Sequence, residues 1–410
     1  MKFKREVNKV AGKVSEDTKK KILKFALSVP LWLLVLGVAA IATGLIRIAI
    51  LTGNRTDQYM AKYWGQGSAT SYRQMSVFAK GSRSAGETSP FTYVDANSSL
   101  RSADVVIIRQ ALQNIVDSGK PKSQTGLDTD GSPNGWEDCY STTLQSTLTD
   151  KVYDGTTDAE VVGVGGNFTA FHPFKFLSGG FLPTTVQDSN QIVLNDVAAW
   201  KFYRSYDVVG NQVTLFDATF TVIGVVKEPS DSLAQSAGTT DARCYIYFPT
   251  LENLAVSSTE PSGDDTVADV DSGGGQEQED SALAVQCYEA MLPEVVSGVA
   301  VSDVKNSLPN YNALDPGVYV LSNTGRFTIP RVWTYMLPIG AIEAAQEGFE
   351  FPYWEKAAQL AVMHLFVCYI LVAVGIVLLV VGGAALILKT RGKKNNESDV
   401  IIDYSSESED

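Results

Sequence analysis

Two histidines and four cysteines are the residues of this 410-residue chain with the widest chemical repertoire. His172 stands alone, and neither it nor His364 belongs to an H-E-x-x-H zinc motif; a G-x-S-x-G nucleophile elbow is also missing. No G-x-x-x-x-G-K-[ST] segment occurs, so the chain has no P-loop with which to hydrolyse ATP. The run "GVGGNF" at 163–168 is too short for a dinucleotide fingerprint. These readings predict a protein that is not an enzyme and holds no cofactor or metal.

The remaining candidates are weaker. In "DTDGSPNGWEDCYS", Asp130, Ser132, Asn134, Gly135 and Asp138 follow a calcium-loop spacing. The twelfth position is Ser141 rather than the bidentate Glu such loops use, which favours a polar surface turn. Cys244 and Cys287 border an acidic stretch, and a disulfide between them would staple its base. The alternative is free buried thiols, since spacing does not fix connectivity. Cys139 is a third cysteine on the same side, and Cys368 lies in an apolar run as a packed thiol.

Two long apolar runs place these residues. Residues 28–46 and 358–388 carry no full charge, and a spanning helix needs about 20 such residues. A cleavable signal peptide is the rival reading of the first run. The long basic lead and the continuing "LIRIAIL" favour a retained anchor. Lys and Arg crowd residues 1–25 and recur at Lys389, Arg391, Lys393 and Lys394. Positive residues beside spans stay inside, which predicts a two-pass protein of the cytoplasmic membrane with both termini cytoplasmic. The predicted organisation is a basic, amphipathic segment (1–25), a first span (26–51), an extracytoplasmic domain (52–356), a second span (357–388) and a cytoplasmic tail (389–410).

Residues 15–27 read as an interfacial helix or, alternatively, as a solvated basic tail. His364 falls near the outer end of the second span, where a neutral interfacial histidine is favoured over a functional group. Phe349, Phe351, Tyr353 and Trp354 precede that span, as membrane-interface aromatics would. The chain's net charge of −13 includes basic flanks, so the outer domain is more acidic still, at roughly −18, which argues against nucleic-acid binding.

Periodicity predicts strands at "YRQMSVFAK", "DAEVVGVGGNF", "NQIVLND", "ARCYIYFP", "ALAVQCYEAML" and "GVYVLSN", and helices at 102–116 and in "VAAWKFYRSY". The stretch "VVGNQV" reads as two strands around a Gly-Asn turn, and "QVTLFDATFTVIGVV" as two strands broken at Asp217–Ala218. Residues 252–280 hold nine acidic and no basic side chains, so they are expected to be a disordered loop. Short helices beside many strands give an α+β domain.

The segment "FKFLSGGFLPTTVQD", followed by "NQIVLND", "AAWKFYRSYDVVGNQV" and "FTVIGVV", resembles the periplasmic core domain of MacB-type (macrolide exporter, FtsX-like) ABC permeases. Gly179, Gly180, Asp188, Val193, Ala198, Phe202, Gly210, Val222 and Gly224 carry the likeness. It is clearest over 171–228 and extends loosely over 26–325. The resemblance implies porter-like α/β halves with an inserted β-rich part, and a domain that relays movement from a cytosolic ATPase instead of passing substrate through the bilayer. It also implies a separate ABC ATPase as partner. One departure is plain: the family has three spans after the domain, with a cytoplasmic coupling segment, where this chain has one. A fuller permease is therefore the expected second partner, within an oligomer or hetero-complex. The alternatives are an FtsX-like regulatory subunit controlling an envelope enzyme and a structural ectodomain that shares the fold.

Overall fold

Side chains along each strand alternate between two environments, and this period-two pattern organises the outer domain into one sheet with two unlike faces. The computed structural model describes residues 29–67, 70–81, 91–93, 100–119, 135–150, 155–186, 188–259, 283–294, 296–309, 311, 317–337 and 348–406, with Thr18 and Lys24. In chain order the helices are α1 (Val29–Gly53), α2 (Met60–Trp64), α3 (Ser102–Gly119), α4 (Phe168–Phe171), α5 (Asp196–Tyr203), α6 (Phe248–Thr259), α7 (Val299–Ser307), α8 (Ile329–Met336) and α9 (Tyr353–Ser406). The strands are β1 (Ser71–Ala79), β2 (Glu137–Asp150), β3 (Gly155–Gly166), β4 (Lys175–Gly179), β5 (Gln191–Asn195), β6 (Gln212–Leu215), β7 (Ala218–Lys227), β8 (Arg243–Tyr247), β9 (Cys287–Glu294) and β10 (Val318–Ser322).

Two compact units emerge, Gly53–Val362 and the pair of segments Met1–Thr52 and Met363–Asp410. In the first unit the strand order is β10-β1-β9-β2-β3-β8-β5-β7-β4, with β6 pairing β2 and β7. The parts implied by the family resemblance are thus joined through continuous strand pairing. β3 runs parallel to β8, and β5 parallel to β7, while the other neighbours are antiparallel. A mixed sheet with helices is the α+β class expected.

One face is covered by helices. Met75, Val77, Leu144, Val161, Ile192, Ile246 and Tyr288 point there, and meet Val105, Ile108 and Leu112 of α3, Ala198 of α5, Leu251 of α6 and Val304 of α7. The opposite face carries Tyr72, Phe78, Cys139, Val162, Tyr245, Cys287 and Met291, packed on Phe168, Phe171, Tyr353 and Trp354.

Local signals explain the elements that the sequence marks. Asn195 caps α5, its side chain accepting from the Ala198 amide at 2.8 Å, as a helix N-cap should. Phe216 and Asp217 both have positive φ, 50° and 61°, and link Leu215 to its partner Ala218. That is the two-residue turn whose twist suits a β-hairpin. The family glycines serve backbone approach: a Cβ on Gly224 would stand 1.9 Å from the Gly180 carbonyl oxygen, and one on Gly179 2.1 Å from that of Ile223. Gly179 and Gly224 are register partners between β4 and β7.

Four expectations are corrected. Residues 252–259 belong to helix α6 rather than to a disordered loop, while 260–280 lie outside the described residues. Val208 and Val209 form no strand before the Gly-Asn turn. Glu137 to Ser141, read as the end of a surface turn, open the 14-residue strand β2. Its Ser/Thr-rich sequence hides the apolar alternation, because only Leu144 and Leu148 mark the covered face. Finally, Cys244 and Cys287 are free thiols. β2 and β3 separate their strands, a distance of about 14 Å at sheet spacing, and the two side chains occupy opposite faces. A disulfide needs Cα atoms within about 7 Å. The possible interfacial helix at 15–27 lies almost wholly outside the described residues.

The second unit holds α1 and the part of α9 from Met363 onward. Both helices are long and apolar enough to cross a membrane. They pack antiparallel through small residues. A Cβ on Gly37 would meet the Gly375 carbonyl oxygen at 2.8 Å, one on Gly44 would meet Val372 at 2.5 Å, and one on Gly382 would meet Leu33 at 3.1 Å. Small residues let helix backbones approach where apolar burial supplies no drive. Trp32, Leu36, Val38, Val377 and Val380 remain exposed on the outer surfaces, as lipid-facing residues do, and His364 is exposed among them.

Candidate functional site at the helix roots

The aromatic face of the sheet receives the two chain segments that border the apolar helices. After α1 the chain makes a short 3₁₀ turn, Thr56–Gln58. At the far end Tyr353, Trp354 and Glu355 open α9. Buried charges hold both segments to the domain.

Arg326 is the centre of this arrangement. Its guanidinium donates to both carboxylate oxygens of Glu355, at 2.7 and 2.9 Å, and at 3.0 Å to the side-chain oxygen of Gln58. Gln359, one turn further on, donates to Glu355 at 3.1 Å. Arg326 and Glu355 are both buried. Such a bidentate pair is directional and strong, and removing one partner of a buried pair costs about 3–5 kcal/mol. Glu355 also sits in the first turn of its helix, where the dipole favours negative charge.

A second pair lies deeper. Arg243 on β8 is fully buried and donates to Glu160 at 2.9 Å through Nε and also to Glu228. Tyr245 donates to Glu228 at 2.5 Å. Burial pushes the Glu228 carboxyl above the ordinary carboxylate range, against the opposing pull of Arg243. The Arg243 guanidinium lies 4.2 Å from the ring centroid of Tyr353, a cation–π contact with the first residue of α9. Arg55, two residues after α1, pairs with Asp231, which caps the turn Ser232–Ala234.

Phe349, Phe351, Tyr353 and Trp354, expected as membrane-interface aromatics, all pack on the aromatic face of the sheet. Tyr353 and Trp354 are buried against the sheet, and Phe351 meets Phe78 edge-on at 4.9 Å.

The calcium candidate is also displaced. Asp130, Ser132 and Asn134 lie outside the described residues. Asp138 accepts two bonds from Arg109, at 2.7 and 2.8 Å, and one from Tyr288 at 3.0 Å, while Ser141 is buried in β2. An open groove of about 570 Å³ runs beside Arg109, Gln113, Trp136 and Asp138.

A last cluster, Cys139, His172 and Glu289, is buried on the same face. His172 Nε2 and Glu289 Oε2 are 2.5 Å apart, and Ser76 donates to the other Glu289 oxygen at 2.8 Å. Burial, with Glu289 second, pushes the Cys139 thiol well up; burial does the same to Cys287. Sequence reading missed these groups and the Arg326–Glu355 pair. For Arg243 and Glu289 one signal was available: each is a single charge in an otherwise apolar run of its strand, where an unpaired charge is too costly to keep.

Among the described residues this site contains no exposed nucleophile–base pair. Residues 32–286 match the model of the MacB-like periplasmic core domain. No curated protein matches. Solved structures similar to this chain include the periplasmic region of MacB from Actinobacillus actinomycetemcomitans, at 14% identity and a TM-score of 0.36, covering 63% of this chain and 91% of that one. Another is the extracellular domain of the noncanonic ABC-type transporter YknZ from Gram-positive bacteria, at 11% identity and TM-score 0.35, covering 60% and 99%. A domain of a putative permease from Porphyromonas gingivalis gives 11% identity and TM-score 0.29, covering 61% and 87%. The family consists of ABC-transporter permease-type membrane subunits, generally non-catalytic, that work within ABC complexes. With a match over more than half its length and two apolar helices flanking the matched domain, this chain belongs to the MacB-like periplasmic core domain family, as a membrane protein with an extracytoplasmic domain.

Proposed function

We propose that this chain is a non-catalytic subunit of a MacB-type ABC system, and that its outer domain relays force to, or binds, an exported substrate or an envelope partner. The observation that carries this reading is Arg326, which ties Gln58, just after the first apolar helix, to Glu355, in the first turn of the second. Displacement of either segment reaches the other through a buried, bidentate contact, and reaches the sheet through Arg243 and Tyr353. A closely packed interior transmits such a displacement instead of absorbing it.

Lys and Arg flanking both apolar helices support cytoplasmic termini, and the antiparallel packing of the helices supports their lying on one side. Motion originates in a separate cytosolic ATPase, and a fuller permease supplies the coupling segment. Affinity capture of the chain from its native membranes, followed by mass spectrometry, tests this. An ABC ATPase with a multispanning permease is the expected result. Recovery of an envelope hydrolase or a kinase without any ATPase overturns it in favour of a regulatory subunit. Tags at each end should be protected from external protease in intact cells.

A further inference from the structure

The ionic contacts at the helix roots leave one buried group of reactive side chains without a role. Cys139 on β2, His172 just after α4 and Glu289 on β9 place their ligand-capable atoms within 4.8 Å of one another, all in the domain interior. Cys139 and Glu289 are direct cross-strand partners, so the register of the sheet fixes two of the donors. The turn at α4 brings the third. Cys139 Sγ is 3.9 Å from the same Glu289 oxygen that faces His172.

We propose that Cys139, His172 and Glu289 form a buried site for one divalent transition cation of the borderline-soft class, zinc being its representative. Sulfur, imidazole nitrogen and carboxylate oxygen are together a zinc donor set, whereas calcium and magnesium require oxygen alone. Three protein ligands leave a fourth position for water or a neighbouring group. A thiolate and a carboxylate neutralise a divalent charge, which an apolar interior demands.

The surroundings are those of a held ligand set. Ser76 donates to the Glu289 oxygen that does not face His172, which orients the carboxylate, as outer partners of metal ligands do. Phe168 and Trp354 pack against the His172 ring at 4.5 and 4.4 Å and fix its plane. Gln74, on the same face of β1 two residues before Ser76, keeps a fully buried side-chain oxygen with no hydrogen-bond partner. Phe168 also lines a cavity of about 170 Å³ with Phe181 and Leu182. Binding replaces the Cys139 S–H bond with a sulfur–metal bond and releases that proton to solvent. The proton held between His172 Nε2 and Glu289 Oε2 shifts to Nδ1 of the imidazole, and each of the two freed atoms then makes one metal bond.

The test uses the full chain in detergent, stripped with phenanthroline, supplied with zinc and desalted for elemental analysis. Wild type should retain one zinc per chain, and C139S and H172Q should bind at least about 10-fold more weakly, the effect of disturbing even an outer partner. Because either variant could fail to fold, cobalt is added to wild type as a second measurement. A thiolate-to-cobalt charge-transfer band is expected. Wild type without retained zinc, folded variants that retain it equally, or cobalt binding without the thiolate band would each overturn the proposal. None of these outcomes bears on the ATPase capture, so the two readings stand or fall separately.

Discussion

The two faces of the sheet are built from the same ten strands yet hold their neighbours by different physics. On the helix-covered face Leu112, Ile108 and Leu251 are fully buried in a large apolar cluster, whose attraction is non-directional, set by area removed from water. Its bidentate pair, Arg109–Asp138, leaves the Arg109 side chain partly exposed. On the aromatic face Arg243, Arg326, Glu228, Glu289 and Glu355 are buried with defined partners. Apolar contacts tolerate sliding and repacking of similar volumes, whereas a buried bidentate pair tolerates neither. The difference indicates that one face holds the domain together and the other fixes the position of the chain segments that lead to the membrane.

The largest effect should come from breaking the directional face. Glu355→Gln leaves the Arg326 charge buried without its partner, and should lower the unfolding free energy of the domain by about 3–5 kcal/mol. The double change Arg326→Met with Glu355→Leu should recover most of that loss and still abolish coupled function. Chemical denaturation, beside an assay of the captured complex, reads both.

Leu112→Ala tests the other face. It should cost about 2–5 kcal/mol, through lost transfer energy and a cavity, while the surviving folded protein keeps full function. An equal functional defect from Leu112→Ala and from the Arg326–Glu355 double variant would erase the distinction between the faces. Gly224→Ala forces a Cβ into the Gly180 carbonyl and should cost about 1–3 kcal/mol by overpacking, read as a lower thermal midpoint. Asn195→Ala removes the cap of α5 and also the side-chain bonds to the Arg243 amide and the Asp241 carbonyl, and should cost about 1–3 kcal/mol.

The thiols give a pH-dependent contrast. Cys139, Cys244 and Cys287 are buried, and burial raises all three above the usual thiol range. Alkylation by a maleimide should then stay slow as pH rises from 7 to about 9, where an exposed thiol ionises, and should speed up only on unfolding.

How much of this was legible in the sequence follows the same division. Apolar alternation exposed β1, β3, β5, β8, β9 and β10, and helical spacing exposed α3 and α5, because side-chain area is a local property of sequence. β2 stayed hidden, since its Thr and Ser side chains carry no apolar signal even where the strand is central. The helix-root site was not legible. Gln58, Arg326 and Glu355 meet only after the sheet has formed, and each is an ordinary polar residue among its chain neighbours. The family glycines were legible as a pattern, but their purpose, the approach of β4 to β7, needed the pairing of Gly179 with Gly224. The aromatic run at 349–354 was legible as a cluster, but its packing on the sheet face was not, because a lipid boundary and a sheet face attract the same rings.

Amide hydrogen exchange on the intact chain tests the central claim most directly, since it reports which segments open together. If the root of α9 is gripped by the sheet, the Gln359–Val362 amides should exchange at the rate of the β9 interior, and Glu355→Gln should release the root while leaving β9 unchanged. Root amides in wild type that exchange about 100-fold faster than β9, equivalent to nearly 3 kcal/mol of separate opening, would contradict the account.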